Sequence, residues 1–296
     1  MENLRGIGFM ILAMASFALE DALVKTLAAS MPAGLVLIFV GLCGAVFFWL
    51  LCRRRGIRVV SPAFLNRPLL LRTIAEIAGT VFMVAAIVSM PLSTASAIMQ
   101  AAPLMVGFGA VLLFGAVFGW RRWAALATGF AGVLVIIRPG LDSFDPVSLL
   151  ALAATASMSA RDLATRAVPR EIPSLLIAFY GFCAMAVAGG ILTPFLEGAA
   201  PVASRNLWLL LMAACCGICG YFAITQAMRI GEVAVVTPFR YTRLLFAITL
   251  GFVVFGERPD LPMMVGAALI LGSGLYTLHR ERHARSRPLS SALKAG

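Results

Sequence analysis

Histidine is nearly absent from this chain of 296 residues; it occurs only as His279 and His283, at the end of the last apolar run and just past it. A Ser-His or Cys-His nucleophile pair and a His-based metal cluster are therefore excluded from the apolar body. Charge is scarce too, at 12% of residues, where soluble domains carry roughly 25%. Polar stretches are short: the longest breaks between apolar runs are Arg53–Pro68 and the segment from Arg280 to Gly296. No soluble domain fits into such breaks, so function has to reside among the apolar segments. No paired Asp-rich motif for Mg²⁺-diphosphate chemistry is present, because Asp21 is followed by Lys25 four residues on. All six cysteines lie in apolar runs, where they act as small hydrophobes, and the Cys216-x-x-Cys219 pair has no second ligand pair around it. These absences predict no metal and no cofactor. They speak against a membrane-embedded enzyme, and a receptor or scaffold would lack an output module.

What the chain has in abundance is apolar length, with 61% hydrophobic residues and a mean hydropathy of +0.97. A bilayer core about 30 Å thick needs about 20 apolar residues per helical span. Ten runs satisfy this, at 7–29, 33–52, 69–89, 92–114, 121–138, 147–166, 174–193, 207–228, 233–255 and 262–279. The fold class is thus an all-α integral membrane protein of ten transmembrane helices. The first run is too long and too acidic for a signal peptide and reads as an uncleaved helix. Abundant glycine and proline suit close helix packing and local kinks, which neighbouring helices satisfy in lipid.

The formal net charge of +11 raises the question of nucleic acid, which the placement of the basic residues answers. With the N-terminus in the cytoplasm, eighteen of the 24 basic residues fall on the cytoplasmic side, including Arg53, Arg54, Arg55 and Arg58. Only Arg138, Arg205 and Arg258 fall on the other side, and Lys25, Arg240 and Arg243 lie within spans. This asymmetry predicts a multi-pass inner-membrane protein with both termini cytoplasmic. The basic excess orients the chain against lipid headgroups; nucleic acid is not the expected partner.

The chain also repeats itself. Laying "MASFALEDALVKTL" (14–27) on "TASMSARDLATRAV" (155–168) aligns Asp21 with Asp162 and Lys25 with Arg166, and both segments then reach a proline, Pro32 and Pro173. Further on, "SMPLSTASAIMQAAPL" (89–104) falls on "RIGEVAVVTPFRYTRL" (229–244), with Gln100 opposite Arg240. The offset stays near 140 residues and five spans separate the equivalents. With an odd number of spans per half, the second half must insert upside down, which is the inverted-repeat pattern of many carriers. The expected organisation is a first five-helix repeat over 1–140, a second over 141–279 and a basic cytoplasmic tail over 280–296.

On these residues the chain resembles the drug/metabolite transporter superfamily, EamA type. The resemblance rests on Lys25 near the end of the first span, "PLSTASAIMQAAPLMV", "WAALATGFAGVLVIIRPG" and "GEVAVVTPFRYTRLLFAITLGFVVFGE". It implies an inner-membrane carrier for small organic solutes with a cavity between the repeats. The first half departs from the pattern in having Gly115-Ala116 where the second has Gly256-Glu257, and Pro238 precedes Arg240 whereas Pro103 follows Gln100. Within the superfamily, "MASFALEDALVKTLAASMP" is similar to bacterial riboflavin uptake carriers; amino-acid or general metabolite and drug exporters share the architecture.

Charged residues inside spans then become the candidate pathway, because a charge at the bilayer centre costs about 2.5–3.5 kcal/mol and is normally aimed at protein or a hydrated cavity. Glu20 and Asp21 lie just past the middle of span 1. Spacing predicts that Lys25 pairs with Asp21 one turn away, or snorkels, while Glu20 either meets a partner on another helix, for which Arg240 is a candidate, or faces the pathway. Arg72 and Glu76 are spaced to pair, and Arg161, Asp162 and Arg166 read mainly as structural ion pairs. Arg240 and Arg243, flanking Tyr241 after Pro238, suit an anionic or hydrogen-bond-rich, ring-bearing substrate, since guanidinium both forks and stacks. Gln100, Thr94, Ser96, Tyr221, Thr225 and Gln226 read singly as interhelical glue. The candidate site is Glu20, Asp21, Lys25, Glu76, Gln100, Arg240, Tyr241 and Arg243, in a midplane cavity lined by spans 1, 3, 4, 6, 8 and 9. Glu20 or Asp21 is where a proton gradient would couple to movement. The expected partners are a small-molecule solute and the lipid bilayer, and the sequence is compatible with a homodimer without fixing the oligomeric state.

Overall fold

The computed structural model describes residues 2–60, 66–114, 119–141, 144–169, 171–195 and 204–285. Among them every regular element is helical: α1 (Glu2–Ala28), α2 (Ala33–Arg54), α3 (Arg67–Ser89), α4 (Leu92–Met99), α5 (Ala102–Phe114), α6 (Trp120–Ile137), α7 (Ser148–Ala167), α8 (Ser174–Leu192), α9 (Ser204–Ile230), α10 (Val233–Val236), α11 (Thr242–Phe255) and α12 (Leu261–Arg285). A 3-10 turn, Thr237–Tyr241, joins α10 to α11. Eight helical stretches are long and apolar enough to cross a bilayer, and Leu261–Thr277 of α12 is a shorter apolar one. The chain is an all-helical membrane protein. The Gly115-Ala116 pair and residues 286–296 of the basic tail lie outside the described residues.

Proline sets several helix starts. Pro32, Pro91 and Pro173 stand at the N-caps of α2, α4 and α8 with extended ψ values of 124°, 133° and 140°, where a missing N–H costs nothing. Two of the expected single spans are interrupted. The run 92–114 divides into α4 and α5 at Gln100–Ala101, and the run 233–255 divides into α10, the 3-10 turn and α11. The cause is again proline, since Pro103 and Pro238 each lack a donor and crowd the carbonyl four residues earlier. These breaks fall at positions that the repeat superposes. The last helix also exceeds expectation, running past 279 to Arg285.

Helices pair mainly across the two halves of the chain: α1 on α9, α2 on α8, α3 on α7, α4 on α11 and α6 on α12. A twofold exchange of the halves maps the α1–α9 pair onto α7–α3 and the α2–α8 and α6–α12 pairs each onto itself. The inverted relation read from sequence is therefore visible in the packing. We call the face where α1 begins and α12 ends the termini face, and the other the far face.

Buried apolar side chains are distributed unequally between these faces. In the far half, one cluster joins Leu27, Val36, Ile87, Leu92, Ile98, Ile136, Ala154, Leu192, Ala213 and Met263 from across the bundle. In the termini half the described core is split into three smaller clusters, around Met10 and Ala223, Phe48 and Phe182, and Leu69 and Tyr180. The far half is closed; the termini half is parted.

Close packing without a hydrophobic drive between helices relies on small residues. At the α6–α12 crossing, a Cβ added to Gly132 would stand 2.7 Å from the Gly266 carbonyl oxygen, so backbone would have to move. Gly132→Val is expected to lower stability by about 1–3 kcal/mol, the usual cost of overpacking. Gly272→Ala on the same α12, with nothing within 4 Å, should leave it unchanged. Thermal unfolding of the two variants in detergent checks the contrast.

Candidate functional site

The parted half of the bundle is where charge collects. On α3, Arg72 Nη2 donates to Glu76 Oε2 at 2.9 Å, one turn away as the spacing predicts. Arg161 Nη1 of α7 donates to the other oxygen, Glu76 Oε1, also at 2.9 Å. Through Nε and Nη2 the same guanidinium donates to Asp162 Oδ1 at 3.0 and 2.8 Å. Asp162 Oδ2 in turn faces Arg240 Nη2 of the 3-10 turn at 3.9 Å. One helical turn further, Arg243 Nη2 donates to Asp21 Oδ2 of α1 at 2.6 Å. A ladder of charge thus runs from α3 through α7 and the broken ninth span to α1, alternating in sign except where Arg240 and Arg243 follow one another, and joining the halves at Glu76–Arg161 and Asp21–Arg243.

Accessibility along the ladder is graded. The Arg72 side chain is 5% exposed and Glu76 13%, whereas Arg161, Asp162 and Arg240 rise to 22%, 28% and 38%. Exposure thus rises along the ladder from α3 toward the 3-10 turn. Arg240 is its loosest member, held by a contact beyond hydrogen-bond length.

Some expected pairings are replaced by others. Glu20 does not pair with Arg240. It lies buried against the backbone of α9, where a Cβ on Gly217 would stand 2.7 Å from its Oε1, and it has no hydrogen-bond partner among the described residues. Asp21 pairs with Arg243 instead of Lys25, because α11 brings a guanidinium across while the Lys25 stem extends the other way. Gln100 meets the equivalent stretch of the second half directly, its Nε2 donating to the Tyr241 carbonyl at 3.2 Å. The Tyr241 hydroxyl is buried beside Gly274 of α12, and it and the Arg72 Nε and Nη1 donors lack an acceptor among the described residues. Arg243 also lies over the Phe17 ring, 5.7 Å from its centroid. Arg72, Arg161 and Asp162, which spacing alone assigned mostly to structural pairing, belong to the same ladder as Glu76 and Arg240.

Lys25 sits apart, on the far face. Its Nζ donates to the Met90 carbonyl at 2.6 Å and to Glu257 Oε1 at 3.1 Å, 5.0 Å from the Phe255 ring centroid. Glu257 Oε1 also accepts from Leu92 N at 2.7 Å, and its Oε2 accepts from Ser93 N at 3.0 Å and the Ser93 hydroxyl at 2.7 Å. Pro91 offers α4 no side-chain cap, so a carboxylate from the other half satisfies the orphan donors and complements the helix dipole. Gly256, at φ 65°, turns the chain after α11 so that Glu257 can reach. Nearby, Arg138 pairs with Asp260.

A groove of about 380 Å³ between α6 and α12, lined by Trp120, Arg121, Thr128 and Tyr276, includes none of the ladder residues. No cluster of metal ligands occurs among the described residues.

Two consequences are measurable. Glu76→Gln leaves two guanidiniums without their shared carboxylate and should cost about 3 kcal/mol, whereas Arg138→Ala at the exposed far-face pair should cost under about 1 kcal/mol. Denaturant unfolding in mixed micelles distinguishes the two. The loop carboxylates Glu257 and Asp260 should also carry an acid limb. Burial pushes Glu257 up, but Ser93, Leu92 and Lys25 outweigh it and hold it below its ordinary 4.5. The Arg138 guanidinium holds Asp260 below its ordinary 3.8. Lowered carboxylates stabilise fully above their unfolded values and cease to do so as pH falls through the folded ones. The melting temperature should therefore drop below about pH 4, and Glu257→Gln should shrink that drop.

Comparison with known proteins accords with this architecture. The model of the EamA-like transporter family matches residues 4–138 and again 146–278. A riboflavin transporter of Rhizobium johnstonii is 27% identical over 220 residues, 74% of this chain and 72% of its own. An S-adenosylmethionine uptake transporter of Rickettsia felis is 25% identical over 67% of this chain and 66% of its own length. A pseudopaline exporter, CntI, of Pseudomonas aeruginosa is 26% identical over 90% of this chain and 93% of its own. A solved crystal structure superposes with a TM-score of 0.62 at 20% identity, covering 96% of this chain and 99% of that one, a likeness of fold. With the family model matched twice and almost end to end, the chain belongs to the EamA-like transporter family and is a membrane transporter of the drug/metabolite superfamily.

Proposed function

We propose that this transporter takes up riboflavin across the inner membrane by alternating access, its two five-helix repeats rocking around the charged cleft. The observation that carries the reading is the ladder itself: paired charges from both halves, with Arg240 held only at 3.9 Å within it and Glu20, without a hydrogen-bond partner among the described residues, beside its Asp21 end. Buried ion pairs are costly to maintain, and those that span moving bodies are the ones rearranged in transport. Riboflavin presents ring carbonyls and ring nitrogens that accept hydrogen bonds, a ring N–H that donates, and a planar face. Arg240 and Arg243 supply donors and a guanidinium plane, Glu20 an acceptor, and Phe17 and Tyr241 lie alongside. Asp21, Glu76 and Gln100 hold these groups in place, and Glu20 is the carboxyl we assign to proton coupling. The similarity to riboflavin transporters of Rhizobium johnstonii and Vibrio cholerae, at 27% and 28% identity, favours this cargo. The basic asymmetry of the breaks supports cytoplasmic termini, so the cleft would open inward.

A second reading is export of a polar metabolite, favoured by the alignment with the pseudopaline exporter over 90% of this chain. Vesicles of defined orientation separate the two by direction of flux. Uptake predicts riboflavin accumulation and rescue of a riboflavin auxotroph. Arg240→Ala and Asp21→Asn are each expected to lower the rate at least about tenfold, the effect of one charge-assisted hydrogen bond. Glu20→Gln should abolish stimulation by a proton gradient and spare exchange of one riboflavin for another. Unchanged rates in all three variants would remove the proposed site.

A further inference from the structure

The far-face cluster around Glu257 has no counterpart in kind among the described residues of the termini face, and this difference has a mechanical meaning. In an inverted repeat, the two faces are built from equivalent segments of opposite halves, so each closing contact on one face has an equivalent place on the other. On the far face Glu257 accepts four hydrogen bonds, three from the start of α4 (Leu92 N, Ser93 N and the Ser93 hydroxyl) and one from Lys25. At the equivalent place on the termini face, the chain entering α10 is met by a neutral group. There Asn3 Oδ1 accepts a single hydrogen bond, from Glu232 N at 2.9 Å. The equivalent of Lys25 is Arg166, which is exposed and has no ion pair among the described residues. By sequence, the equivalent of Gly256-Glu257 is Gly115-Ala116, so no carboxylate is available from that position.

We propose that Lys25 and Glu257 form a one-sided latch that makes the far-closed conformation the resting state of the empty carrier, with no latch of the same kind among the described residues of the termini face. The distribution of the core agrees with this: a single apolar cluster seals the far half, and the termini half stays parted around the charged ladder. Opening the far face takes Glu257 off the α4 start, leaving Leu92 N and Ser93 N without their acceptor and the Lys25 ammonium with the Met90 carbonyl but no counter-charge. Among the described residues, closing the termini face has no comparable bond to gain, and the solute supplies the driving contacts from within the cleft. Glu257 and Lys25 are thus positioning residues of the transport cycle, acting through α4. The proposal rests on the alternating-access reading and is independent of which solute is carried.

The test uses the full chain with its six cysteines replaced by alanine, in lipid nanodiscs and with no solute added. Spin labels at Ala29→Cys and Arg258→Cys report the far face, and labels at Arg55→Cys and Ala167→Cys report the termini face, by double electron–electron resonance. The latched protein should give one short far-face distance. Glu257→Gln and Lys25→Met should each raise a longer far-face population about tenfold, as expected from a charge-assisted hydrogen bond, together with a shorter termini-face population. Ser93→Ala, which removes one of the four bonds and no charge, should shift both pairs in the same sense by less. Unaltered distances in the monodisperse variants would overturn the latch. So would a longer far-face distance without any change on the termini face, because that marks local fraying of α4. The distances are read with no riboflavin present, so they stand or fall separately from riboflavin transport.

Discussion

An ionised group inside a hydrocarbon slab needs a partner, and in this chain the partners come largely from the opposite half. Asp21 is met by Arg243, Glu76 by Arg161 and Lys25 by Glu257, each pair joining the first repeat to the second. Because water cannot stand in as partner within the apolar layer, these pairs dictate which helix ends converge and where the bundle must admit water. Helix–helix packing through small residues then fills what the ionic contacts leave. The architecture is one half sealed by a single apolar cluster and one half parted around charge.

Much of this was legible in the amino-acid sequence because it is local. Apolar run length reports spans. The repeat was legible through Asp21 and Asp162, which occupy matching places and end up in one ladder. The i,i+4 spacing of Arg72 and Glu76 was sufficient for their bond. The choice of partner across the bundle was not. Spacing joined Lys25 to Asp21, but a helix from the other end of the chain supplies a better-placed guanidinium to Asp21, and Glu257 a carboxylate to Lys25. Glu257 could be recognised in its motif beside Gly256, yet nothing nearby in sequence says that it reaches the start of a helix 164 residues earlier.

Interruptions in spans 4 and 9 show the same division between local and non-local information. Pro103 and Pro238 announce a disturbance, and hydropathy alone draws a continuous span through both. What turns two weak points into a feature is the crossing of the broken segments, where Gln100 binds the Tyr241 carbonyl. A side-chain amide can satisfy a carbonyl left available by the irregular backbone, so each break is tolerated in the presence of the other.

That crossing lies near the axis that interchanges the halves, since Gln100 and Arg240 are equivalent by repeat and Tyr241 is next to Arg240. Points close to a rotation axis travel least. The amide–carbonyl bond between the two broken spans therefore ties the halves where their exchange leaves the chain nearly in place, a short tether that keeps the two irregular segments in register.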